Sequence, residues 1–247
     1  MASVAELRVK LFADGADLSA IRDLASNPLI KGFTTNPTLM RKAHVDDYAT
    51  FAKELLEVVP DRPISFEVFS DDFPEMEEQA LEIASWGSNV YVKIPVTDTR
   101  GNFAGSLINR LVEATVQVNV TAVMTTQQVK RIAECLSSDV PSCISVFAGR
   151  VADTGVDPVP VVAEAVRLVG SLNRTEIIWA SPRELFNVFQ AEAVGCHIIT
   201  ATTNVLDKLN LVNKDLLEYS LDTVKMFRND ALAAGYSIAT ARRTAAT

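Results

Sequence analysis

Short apolar runs alternate with longer stretches of helical periodicity along most of this chain. Eight runs read as strands: Arg8–Asp14, Gly32–Asn36, Ile64–Phe69, Val90–Val96, Gln117–Val123, Cys143–Phe147, Glu176–Ser181 and His197–Thr202. Short apolar runs bounded by turn formers are the pattern of strands buried on both faces. Between them, Leu18, Ile21 and Leu24 follow Asp17, an N-cap residue. Tyr48, Phe51, Leu55 and Val58 place an apolar stripe on a helix from His44 to Val59. Further helices are expected over about Phe73–Ser85, Ser106–Thr115, from Thr125 or Thr126 onward, and over Val161–Leu172. Gly149 and Arg150 lead into an irregular stretch through Pro160, and Pro182 stands where proline is tolerated in a first helical turn.

Eight strands, each followed by a helix, in 247 residues predict an α/β protein. The expected fold is a (β/α)8 or TIM barrel, a single domain over residues 1–247, with residues from about 204 to 247 as a helical C-terminal extension. A doubly wound open sheet is the alternative. It would show fewer strands, and neither GxGxxG nor GxxxxGK[ST] is present.

Lys93 interrupts the apolar run Val90–Val96. A lysine in a buried strand needs a partner or a task, because desolvation disfavours its charged form. An amine held that way is suited to attack a carbonyl and form a Schiff base; the plain alternative is a strand-end lysine that snorkels to water. Alternation puts Tyr91, Lys93 and Pro95 on one face and Val92 and Ile94 on the other. The active site of such a barrel lies at the C-terminal strand ends. Polar residues crowd there: Asp14, Asn36, Glu67, Lys93, Asn119 with Thr121, Ser145 with Arg150 beyond, and Ser181 with Arg183 beyond.

Composition narrows the partners. A net charge of −8 and pI near 4.9 disfavour nonspecific nucleic-acid binding, which needs a basic surface, so no nucleic acid is expected, while an anionic substrate stays open if a few arginines gather at one site. Apolar runs are too short to span a membrane and the first residues lack a signal-peptide layout, so no membrane association and a cytoplasmic location are expected. Cys135, Cys143 and Cys196 are widely spaced, and His44 and His197 are far apart, which argues against a zinc cluster or a disulfide framework. No metal is expected.

The strand-end motifs carry a family resemblance. Leu11–Asp14 (LFAD), Thr34–Thr38 (TTNPT), Glu67, Val92–Pro95 (VKIP), Asn119–Thr121 (NVT), Ser145–Arg150 (SVFAGR) and Ala180–Arg183 (ASPR) occur in the order of the transaldolase family, including its small fructose-6-phosphate-aldolase-like branch. The resemblance implies class I aldol chemistry without metal or cofactor, in the carbohydrate metabolism of the pentose phosphate type. Lys93 would form an iminium with a ketose phosphate, and Asp14 would take the proton of the carbon-four hydroxyl. Glu67, a water and Thr121 would move the protons of imine formation and hydrolysis. Asn36 and Asn119 would hold the hydroxyls of the bound dihydroxyacetone unit, and Ser145 would orient it. Arg150, Ser181 and Arg183 would take the phosphate, with sugar phosphates as the small-molecule partners.

Three positions depart from the family pattern: Gly15 where Thr or Ser is common, Val146 where Pro is common, and Pro182 between Ser181 and Arg183. Glu67 and Phe147 stand where the aldolase branch often has Gln and Tyr, which favours transfer over cleavage. A lyase releasing free dihydroxyacetone is the alternative, followed by a non-catalytic sugar-phosphate-binding barrel. Leu217, Leu221, Val224, Met226 and Phe227 in the tail suggest a homo-oligomer.

Overall fold

The structure is a computed structural model that describes residues 3–238. Eight parallel strands close into a barrel in chain order: β1 (Lys10–Asp14), β2 (Ile30–Thr34), β3 (Ile64–Glu67), β4 (Val90–Pro95), β5 (Val118–Val123), β6 (Ser142–Val146), β7 (Thr175–Trp179) and β8 (Ile198–Ala201). Closure is made by β1, which pairs with β2 on one side and with β8 on the other, Lys10 against Ile198 and Ala13 against Ala201. Each expected run overlaps one strand, and the TIM barrel is the fold that forms. Helices α1 (Leu18–Ala25), α2 (Pro37–Lys42), α3 (Tyr48–Val58), α4 (Phe73–Ser85), α5 (Gly105–Glu113), α6 (Thr126–Ala133), α7 (Ala148–Asp153), α8 (Val159–Leu168), α9 (Phe186–Ala193) and α10 (Thr203–Leu206) follow the strands.

Three local expectations are corrected by turn chemistry. The chain leaves β2 directly into α2, because Asn36 caps the Leu39 N–H and Pro37 occupies the first turn. His44, at φ 53°, then separates α2 from α3, which starts at Tyr48 behind the Asp47 cap. The stretch after Phe147 is helical, not irregular, over Ala148–Asp153. Pro182 opens no helix. Ser181 is in the left-handed region at φ 57°, and the Asn187 side chain accepts from the Arg183 and Glu184 N–H groups before α9 begins at Phe186.

The described residues fall into two compact units divided between Leu209 and Asn210. The barrel unit includes α10, so the extension expected from about 204 begins later. The second unit holds α11 (Leu216–Ala233), capped by Asp215. Residues 239–247 of the expected extension lie outside the described residues.

Outward residues such as Phe33, Phe66, Val92, Ile94, Val120 and Ile144 are fully buried between strands and helices. A separate cluster of Phe12, Cys143, Ile178, Ala180 and Ile198, with Tyr91 and Phe147 against it, fills the interior. Phe12 fits only because β2 has Gly32 opposite: a Cβ there would meet the ring at 2.4 Å. At the N-terminal strand ends, Lys10 pairs with Glu176 at 2.5 Å. The interior is therefore plugged below, and the polar groups that face an open cavity with Lys93 gather at the C-terminal ends.

His197 ties the last two strands together, its Nδ1 accepting the Ile177 N–H at 3.0 Å. Burial lowers its pKa from the usual 6.5, and the bond itself requires an unprotonated Nδ1. The unfolded chain takes the proton more readily. This contribution to stability is complete above the unfolded value and is lost as pH falls from there toward the depressed folded value. His197→Asn, which keeps an acceptor that does not titrate, should lose less stability than wild type between about pH 7 and about pH 5, read as melting temperature against pH. Parallel curves for the two proteins would exclude the role.

Candidate active site

Lys93 points from β4 into the mouth of the barrel and is 8% exposed. Its Nζ donates to Glu67 Oε1 at 2.7 Å and to the Thr35 carbonyl at 2.6 Å. Glu67, on the neighbouring strand and in register with Lys93, is 5% exposed, and its second oxygen lies 3.1 Å from the Thr35 hydroxyl, which shares its one proton between this oxygen and the Ser65 carbonyl at 2.9 Å. Burial raises the Glu67 carboxyl above the usual range while the Lys93 charge pulls it back. A carboxyl poised this way can take a proton from the amine and return it.

Asp14 ends β1 on the same cavity. It accepts from the Thr34 hydroxyl at 2.8 Å and from Asn36 Nδ2 at 3.2 Å. The Thr34 proton is spent on Asp14, so the 2.5 Å contact between Thr34 and Thr200 is donated by Thr200. Burial raises the Asp14 carboxyl as well, against the lowering effects of the Lys93 charge and of Thr34 and Asn36. Two carboxylates with different partners therefore face one buried amine. That set can form and hydrolyse an imine and can take a proton from a hydroxyl beside it.

A cavity of about 420 Å³ brings most of the expected residues together: Asp14, Asn36, Glu67, Lys93 and Thr121 meet Ser145, Phe147, Arg150, Ser181 and Arg183 on its walls. Thr121 Oγ1 is buried with no hydrogen-bond partner among the described residues. Asn119 is not on the wall. It is fully buried and spends its amide on neighbours, donating to Ser65 Oγ at 3.0 Å and accepting from Ser145 Oγ at 2.8 Å. Asn36 likewise spends its oxygen on the α2 cap and turns its nitrogen to Asp14.

The two arginines differ. Arg183 gives its Nε edge to Asp153, with Nε donating to Oδ1 at 2.9 Å and Nη2 to Oδ2. This ion pair is half exposed, so it fixes orientation more than it adds stability. Arg150 is exposed and its guanidinium lies 5.8 Å from the centre of the Phe147 ring. Gly149 lets the two segments meet: a Cβ there would lie 1.6 Å from the Ser181 carbonyl oxygen.

Thr34, Thr35 and Thr200 belong to the site and were missed as individual roles. Thr34 and Thr35 lie within the TTNPT motif, yet alternation assigns only one of the pair to the interior. Thr35 lies just past the end of β2, and its carbonyl and hydroxyl reach Lys93 and Glu67. No sequence signal marked Thr200.

Comparison with known proteins shows the family. The family model for transaldolase and fructose-6-phosphate aldolase matches residues 11–240. The chain belongs to that family. A probable transaldolase from Thermoanaerobacter sp. (strain X514) is 33% identical over 93% of this chain and 100% of its own length. Probable transaldolases from Methanococcus maripaludis (strain C5 / ATCC BAA-1333) and Thermoplasma volcanium are each 33% identical over 81% of this chain, covering 89% and 87% of their lengths. A solved structure from Burkholderia cenocepacia J2315, described as a lyase/mutase, superposes with TM-score 0.57 at 13% identity, over 96% of this chain and 90% of that one. A flavocytochrome b2 mutant superposes with TM-score 0.51 at 15% identity, over 79% of this chain and 56% of that one. These two show the fold alone. The family match and the names of the sequence relatives support an enzyme of the transaldolase family.

The Lys93–Glu67 pair makes a stability prediction. Lys93→Met strands a buried carboxylate and Glu67→Gln a buried ammonium, so each should cost about 3–5 kcal/mol at neutral pH. The double variant should cost clearly less than the sum in urea unfolding. Additive losses would mean that the two groups are not coupled.

Proposed function

We propose that this protein is a transaldolase that moves a dihydroxyacetone unit from a ketose phosphate to an aldose phosphate through an imine on Lys93. The observation that carries this reading is the buried Lys93 amine paired with Glu67 in the same cavity as Asp14. Glu67 takes a proton from the Lys93 ammonium, and the free amine adds to the ketone carbon of fructose 6-phosphate or sedoheptulose 7-phosphate. Glu67 returns protons as the oxygen leaves as water. Thr121, whose hydroxyl has no partner among the described residues, steadies that water. Asp14 then takes the proton of the carbon-four hydroxyl, the bond between carbons three and four breaks, and its electrons pass to the iminium. The resulting enamine attacks an incoming aldose phosphate, Asp14 returns the proton, and hydrolysis frees Lys93.

Ser145 orients the bound three-carbon unit, itself aimed by the buried Asn119, while Asn36 works through Asp14. The phosphate meets Arg150 and the Nη1 side of Arg183, which Asp153 leaves free, with Ser181 between them. Glu67 favours transfer because a carboxylate can shuttle protons that an amide cannot. Release of free dihydroxyacetone in the absence of an acceptor would instead identify the lyase. The aldose-phosphate chemistry fits a cytoplasmic enzyme of carbohydrate metabolism. No residue of α11 is buried, and Leu217, Leu221 and Val224 follow helical spacing on it, which supports a homo-oligomer. A single monomer mass in sizing with light scattering would exclude that.

Mixing the protein with fructose 6-phosphate and borohydride should leave a reduced sugar adduct on wild type and none on Lys93→Met, read by intact mass. Lys93→Met should also lower kcat/KM on the order of 10⁴-fold or more. No adduct with either ketose phosphate would remove the Schiff-base reading. Arg150→Ala and Arg183→Ala should each raise KM for phosphorylated substrates by roughly 10- to 100-fold, with little effect on an unphosphorylated acceptor. Equal effects on both acceptors would place the phosphate elsewhere.

A further inference from the structure

The edge between β2 and β3 is irregular where the chemistry sits. Phe33 N–H donates to the Pro63 carbonyl at 2.8 Å and Thr35 N–H to the Ser65 carbonyl at 3.2 Å. In a parallel ladder the next rung along this edge joins Glu67 N–H to the Thr35 carbonyl. That rung is replaced. Glu67 N–H donates to the hydroxyl of Tyr48 at 2.7 Å, and the same hydroxyl donates back to the Glu67 carbonyl at 3.2 Å. The Thr35 carbonyl, released from the ladder, accepts Lys93 Nζ instead.

Tyr48 is held for this task. It is the first residue of α3, directly behind the Asp47 cap. Its ring packs edge-on against Phe69, Trp86 and Phe66, with centroids 4.6, 5.8 and 6.1 Å away. Burial, followed by the Glu67 charge, pushes its ionisation far above the usual phenol range, so the hydroxyl keeps the proton it donates.

We propose that Tyr48 is a positioning residue for the Lys93 centre, its hydroxyl replacing one backbone rung of Glu67 so that the Thr35 carbonyl is reserved for the lysine. The role rests on the imine reading above. The carbonyl fixes the Nζ position before attack and remains available to the single N–H of the iminium afterwards, while Glu67 stays free to exchange protons. Without the hydroxyl, Glu67 N–H has one regular acceptor, the Thr35 carbonyl, and pairing with it competes with Lys93 for that oxygen and draws it toward β3.

The test compares the rate of borohydride-trappable adduct formation from fructose 6-phosphate in wild type, Tyr48→Phe and Phe69→Ala. The Phe69 change loosens the same aromatic cluster without touching the rung. Tyr48→Phe should slow adduct formation on the order of 10-fold or more, with KM changed little, because the reacting nitrogen is displaced rather than the phosphate grip. Phe69→Ala should leave the rate near wild type at a comparable loss of melting temperature. An unchanged rate in Tyr48→Phe, or equal slowing in both variants, would overturn the role. A wild type that forms no adduct would instead remove the imine reading itself, and the role with it.

Discussion

Bringing a lysine ammonium out of water costs several kcal/mol unless polar groups replace its hydration. At Lys93 the replacements are a carboxylate from β3 and the backbone carbonyl of Thr35, the residue just past the end of β2. The carboxylate must lie in register with it, which the parallel pairing of β3 and β4 supplies. The carbonyl must be spared from the ladder, which the end of β2 at Thr34 and the intrusion of Tyr48 supply. Much of the local architecture at the mouth of the barrel follows from the need to keep that one cation satisfied.

The same constraint accounts for the division of the interior. Phe12, Ile178 and Ile198 close the middle of the barrel, and Lys10 with Glu176 closes the far end, so solvent approaches the amine only from the C-terminal side. In this low-polarity setting both Asp14 and Glu67 are driven toward their protonated forms, and each is moderated by different neighbours. Two acids with different surroundings beside one amine are the arrangement that separates proton-transfer roles. Asn119 belongs to this scaffold: fully buried, it links Ser65 to Ser145 and holds strands β3, β5 and β6 in mutual register below the cavity.

The arginine end of the cavity obeys a different rule. It is exposed and depends on geometry more than on dielectric. Asp153 holds one edge of Arg183, Asn187 ties the following loop, and Gly149 permits the backbone approach that brings Ser181 and the start of α7 together. Family membership and this geometry agree at the level of an enzyme of the transaldolase family, whereas the low-identity structural likenesses speak only for the barrel.

The barrel, the residues at its strand ends and the central place of Lys93 were legible in the sequence because a parallel strand buried on both faces imposes a near-continuous apolar run, and an interrupting charge stands out against it. Turn chemistry was less legible: the helix at Pro37–Lys42 and the left-handed Ser181 depend on caps and φ values that composition underdetermines. What only the tertiary structure decided is how the polar groups pair. The Thr35 carbonyl accepts from the lysine, Asn119 serves the wall from below because its amide finds Ser65 and Ser145, and Tyr48 reaches Glu67 from a helix 19 residues away in sequence. Such pairings are made across strands and between layers. A one-dimensional pattern records which face a residue occupies, while the hydrogen bonds it makes depend on neighbours that only folding brings within 3 Å or so of it.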